Sequence, residues 1–167
     1  MQYYDCSSWA TVGPSTSGVV QVKSTTKTDT FTTTSGTYVD VTGLDVSITP
    51  TSASNKVFVI CTTTGAGTSG TNIVYLQLVR DSTALALGDA AGSRAVATSG
   101  FAALGTNNQS NSAMAYLDSP ATTSATTYKL QMRVHAGTGF LNRSQDDANG
   151  TNYGRYSSTI TVFEVTP

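Results

Sequence analysis

The stretch Tyr116–His135 (YLDSPATTSATTYKLQMRVH) decides the fold. Its second half alternates. Tyr128, Leu130, Met132 and Val134 share one side, and Lys129, Gln131, Arg133 and His135 share the other. A period of two with one apolar and one polar side marks a strand that lies on a core and faces water, as in antiparallel sheets. The first half is turn chemistry: Pro120 fixes φ and lacks an N–H, and Asp118 and Ser119 carry side chains that bond nearby backbone.

Short apolar runs separated by turn residues extend outward from this strand in both directions. Upstream, strands are predicted over 18–24, 28–34, 38–41, 44–49, 56–63, 72–81, 83–88, 94–104 and 113–118; downstream, over 140–143 and 157–165. Lys56–Thr63 (KVFVICTT) is apolar on both sides through its middle and reads as a central strand covered on both faces. The final run, Ser157–Val165, places Ile160 and Val162 inward and reads as a central anchoring strand. Residues 90–103 hold too many Gly and Ser for a helix. About ten strands with turn signals every 8–12 residues predict an all-β, antiparallel, jelly-roll-like β-sandwich over residues 18–167.

At 167 residues the chain is one domain with enough length to bury a core. Ser and Thr supply 50 residues, whereas charged residues are only 11% and the net charge is −1. Disordered chains couple few β-branched residues to high net charge, which is the opposite pattern. The nine Lys and Arg are scattered, so the chain has no electrostatic footprint for nucleic acid. No apolar run is long enough to span a membrane, and no secretory signal is visible. Of the two cysteines, Cys6 lies in a polar leader and Cys61 in an apolar strand. Either they bridge across a folded-back leader or Cys61 is a buried free thiol, and the second is expected.

Motifs for catalysis are missing from the sequence. His135 is the only histidine and sits on the polar side of its strand. There is no nucleophile elbow, zinc spacing, P-loop or dinucleotide fingerprint. Asp146, Asp147 and Asn149 before Gly150 only partly match a calcium loop. The expectation is a protein that is not an enzyme and takes no cofactor or metal. Sequons at Asn108, Asn142 and Asn149 arise by chance in a chain this rich in Asn, Ser and Thr.

Residues 1–17 (MQYYDCSSWATVGPSTS) lack a period and place Tyr3, Tyr4 and Trp9 among polar residues. They read either as a frayed terminus or as an extended arm whose aromatic rings dock on a neighbour. Three loops are candidate ligand contacts: Gly65–Gly70, Gly105–Ser112 and Gln145–Gly154. Their candidate residues are Asn107, Asn108, Gln109, Asp146, Asp147, Asn149 and Tyr153. Several strands carry Tyr, Leu and Met beyond what one sandwich needs, which predicts a homo-oligomer, expected to be a trimer.

Three ordered phrases carry a resemblance. Thr28–Lys56 (TDTFTTTSGTYVDVTGLDVSITPTSASNK), Leu78–Arg94 (LVRDSTALALGDAAGSR) and Leu117–Lys129 (LDSPATTSATTYK) resemble a β-sandwich module of tailed bacteriophages, especially those of cyanobacteria and marine bacteria. Asn142-Arg143-Ser144, the acidic Asn-rich loop after it and the final Ser-Ser-Thr-Ile-Thr-Val strand add to it. The resemblance spans residues 19–165 and implies a virion structural protein with no catalytic residues, either a trimeric knob on the capsid or part of a tail fibre. The chain shows no stalk-forming heptads or triplets. The expectation is therefore a head decoration or cement protein, assembled in the host cytoplasm, whose arm packs on the major capsid protein. The alternative is a tail-fibre or receptor-binding tip whose loops recognise host surface glycan.

Overall fold

The structure is a computed structural model. It describes residues 2–4, 9–11, 18–68, 72–102 and 105–167, with backbone alone in the first two ranges. The described residues form strands β1 (Gln2–Tyr4), β2 (Trp9–Thr11), β3 (Val19–Lys27), β4 (Phe31–Thr33), β5 (Val39–Ile48), β6 (Lys56–Gly67) and β7 (Ile73–Arg80). They continue with β8 (Thr83–Leu85), β9 (Ser99–Ala102), β10 (Ser110–Asp118), β11 (Thr126–Val134), β12 (Gly139–Leu141) and β13 (Ser158–Val165). Among them there is no helix.

The body is all-β, with two antiparallel sheets. One runs β3-β13-β6-β12-β4, with β10 also on β6; the other runs β5-β11-β7-β8, with β9 also on β7. The chain changes sheet between β4 and β5, β5 and β6, β6 and β7, β9 and β10, β10 and β11, and β11 and β12. Strands adjacent in sequence therefore mostly face each other across the core. β1 and β2 pair with each other in a separate two-stranded sheet, Tyr4 opposite Trp9. The side chains of Tyr3, Tyr4 and Trp9, and all of Cys6, lie outside the described residues.

The alternation in the opening stretch is realised in full. Tyr128, Leu130, Met132 and Val134 are at most 1% exposed, and His135 is exposed. β13 lies between β3 and β6, as its apolar pattern predicts. From the six-stranded sheet, Val57, Val59, Cys61, Ile160 and Val162 meet Leu44, Leu76, Leu78 and Leu130 of the other sheet. Each such side chain contributes about 1.5–3 kcal/mol by leaving water. Cys61 is a buried free thiol, and burial pushes its pKa up to about 12.

Several boundaries move, each for a local reason. The two strands expected over 38–41 and 44–49 are one strand, β5. It bulges at Thr42-Gly43, where Gly43 has φ +77 and the register against β11 slips between Lys129 and Gln131. β6 runs on through Gly65–Gly67, which pair with β12, so the expected loop at Gly65–Gly70 begins only after Gly67. Glycine suits this crossing because a Cβ at Gly65 would lie 2.5 Å from the Phe140 carbonyl oxygen. Ser110–Ser112 likewise belong to β10, not to a loop. The strand expected over 83–88 stops at Leu85, and Ala86 takes φ +51. The strand expected over 94–104 starts only at Ser99. β6 is central, and within the single chain its outward residues Phe58 and Ile60 are half-buried.

Buried polar groups tie the layers together. Asp118 on β10 accepts hydrogen bonds from the Tyr128 hydroxyl (2.6 Å) and the Arg80 guanidinium (2.8 Å), joining the two sheets. Glu164, 0% exposed, accepts from Gln21 Nε2, Thr51 N, Thr51 Oγ1 and Asn55 Nδ2, all within 2.7 Å. Burial alone would raise its pKa; these donors outweigh burial and hold it down at about 2.

Candidate functional surfaces

Two of the three candidate loops meet. Asn142, just after β12, is fully buried in a left-handed conformation (φ +61). Its side-chain amide donates to the carbonyls of Lys27 and Asp29 at 2.9 Å and accepts from the Ser158 hydroxyl. This pins the root of the 145–154 loop and leaves the Asn142 sequon inaccessible. The Asp146 N–H then donates to the Thr106 carbonyl (3.0 Å), and the Tyr156 hydroxyl donates to Gln109 Oε1 (2.8 Å). The loops at 105–109 and 145–154 therefore form one surface. Thr68 and Asn72 both donate to the Thr138 carbonyl.

Arg143 organises the loop. Its guanidinium lies 4.4 Å from the Phe140 ring centroid, donates to the Ser144 and Gln145 carbonyls, and reaches Asp147 at 3.0 Å. Arg155 reaches the same Asp147 oxygen at 2.7 Å. A concavity of 240 Å³ opens beside this pair, lined by Asp147, Asn149, Gly150, Tyr153, Gly154 and Arg155. A carboxylate already held by two guanidiniums, an exposed amide and a half-buried tyrosine ring can hydrogen-bond and stack on a neutral, hydroxyl-rich ligand.

Of the expected contacts, Asp147, Asn149 and Tyr153 line this concavity. Asp146 and Gln109 act instead in holding the loops together, and Asn107 and Asn108 lie on the adjoining exposed turn. The calcium reading of 146–150 is not supported, because Asp147 is committed to two arginines. Among the described residues no His, Cys, Asp or Glu cluster with metal-binding geometry occurs. Sequence reasoning missed Arg143 and Arg155; their spacing on either side of an acidic loop was the available signal.

A second surface lies on the outer face of the six-stranded sheet. The register sets Val22, Phe163, Phe58 and Leu117 side by side across β3, β13, β6 and β10. Val22 and Leu117 are 49% and 47% exposed, and the Phe58 and Phe163 ring centroids are 6.3 Å apart. The next row is Ser24, Thr161, Ile60 and Ala115, and the next is Thr26, Thr159, Thr62 and Ala113. Ser24 and Thr161 share a hydrogen bond of 2.8 Å, and Thr26 and Thr159 one of 3.2 Å. These three rows contain no charged side chain. The outer face of the other sheet differs. Lys129 pairs with Asp40 at 2.8 Å, and the Arg133 guanidinium lies 4.4 Å from the Tyr75 ring centroid and 5.3 Å from that of Tyr38.

No family model matches the chain, and no curated protein matches it.

Proposed function

We propose that the chain is a structural module of a tailed-phage virion that decorates the head shell and acts by binding. The observation that carries this reading is the uncharged sheet face with its exposed row Val22–Phe163–Phe58–Leu117. Exposed apolar rows of this kind are covered in a working assembly. The resemblance of residues 19–165 to phage β-sandwich modules supplies the setting, including a jelly-roll-like connectivity and a leader that contacts the major capsid protein through Tyr3, Tyr4 and Trp9. A ligand that binds only the assembled shell stabilises it by mass action. Immunogold labelling of intact virions with an antibody to this chain tests the reading. Gold over the head is the expected result, and unlabelled virions would overturn it.

One observation favours a second reading, a tail tip that recognises host surface glycan. The 105–109 and 145–154 loops are held together around a concavity that includes Tyr153. Gold at the tail tip is its signature. Saturable binding to host cells, lost on Tyr153→Ala, is its expected consequence.

A further inference from the structure

We infer that the uncharged outer face of the six-stranded sheet docks on a second copy of this chain. The inference rests on reading that face as an assembly surface and names what covers it. Three arguments point to self-association.

The first is charge. The three rows from Val22–Leu117 to Thr26–Ala113 hold only apolar, small or hydroxyl side chains, and Lys56 stands at the margin beside Val165. A polyanion or an anionic membrane would need cations within the rows. Another copy needs none, and two such faces meet without desolvating an ion pair. The second argument is hydrogen bonding. A hydroxyl is both donor and acceptor, so Ser24, Thr161, Thr26 and Thr159 can pair with the same groups on a copy. A plane with an aromatic and aliphatic row at one end and hydroxyl-bearing rows beside it can meet the same plane of a second copy across a two-fold axis, the isologous arrangement of the commonest homo-oligomers.

The third argument is area. Four strands about 4.8 Å apart and four rows about 6.8 Å apart, the three uncharged rows with the margin row that holds Val165 and Lys56, cover roughly 500 Å², so two copies bury about 1,000 Å² in all, the lower bound of a specific interface. The opposite outer face is the poorer candidate. Its Asp40–Lys129 pair and its Arg133 would have to be desolvated.

Light scattering on the purified full chain tests this. The wild type is expected at two or more times the 17.3 kDa chain mass. Val22 and Leu117 are half-exposed in the single chain, so Val22→Glu with Leu117→Glu should fold and return the mass to one chain, with unchanged far-ultraviolet circular dichroism. Gln77→Glu, on the other outer face, should keep the wild-type mass. As a readout that does not depend on that double variant, Leu117→Cys should react with a thiol reagent at least tenfold more slowly than Gln77→Cys. A wild type at one chain mass across the micromolar range would overturn the inference, as would a folded double variant that stays assembled or equal thiol rates. Protection of Leu117→Cys in a monomer would assign the face to residues 1–17 and also overturn it. A monomer that still labels the head removes self-docking and leaves the decoration reading standing. An assembled chain found at the tail tip does the reverse.

Discussion

Glu164 sits on the last strand with no exposed surface, and its carboxylate takes four hydrogen bonds from uncharged donors. Its pKa falls from the ordinary 4.5 to about 2. The stabilisation is therefore complete above the ordinary value and drains away as the pH drops from about 4.5 towards 2. Thermal melts of the wild type should lose midpoint over that window, and Glu164→Gln should flatten the loss. At neutral pH, Glu164→Ala strands the Thr51 N–H and the Asn55 amide, and should lower stability in urea titrations by about 3 kcal/mol. The alternation of β13 marks position 164 as inward, and so as an anomaly. Its partners Thr51 and Asn55 come from a turn over a hundred residues away, which no local pattern displays.

At the scale of the element, close crossings set the tolerance to change. Gly65 lies where β6 passes β12, and a Cβ there would press on the Phe140 carbonyl and the Phe101 ring. Gly65→Ala should cost about 1–3 kcal/mol or more by overpacking, read as a lower urea midpoint. β10 and β11, adjacent in sequence but in different sheets, are joined by Tyr128 and Asp118. Tyr128→Phe leaves that carboxylate to Arg80 alone and should cost about 1–2 kcal/mol in the same measurement. Alternation predicted Tyr128 as inward. The strand ends were less legible: a Gly-rich segment reads as a loop, whereas Gly65–Gly67 are strand because β12 approaches there.

At the scale of the whole molecule, the six-stranded sheet is closed by its ends. β13 pairs with β3, Phe163 opposite Val22, and with β6 on its other side. A chain ending before Ser158 leaves β3 without its neighbour and opens the core at Ile160 and Val162. Such a truncation should show no cooperative thermal transition by circular dichroism. Pairings this distant in sequence also predict refolding in milliseconds to seconds, slower than for helical proteins of similar size.

The sequence by itself determined the all-β class, the inward set of β11 and β13, the position of β13 within its sheet and the exposure of His135. Each is written in a period of two or in turn residues, which act between neighbours along the chain. Only the tertiary structure decided which loops meet, which carboxylates are internal clamps and which outward residues line up. The row Val22–Phe163–Phe58–Leu117 draws on four strands, and cross-strand register places them side by side. Register is fixed by how two sheets bury their inner faces together, so the outer face inherits an arrangement that none of its strands encodes alone.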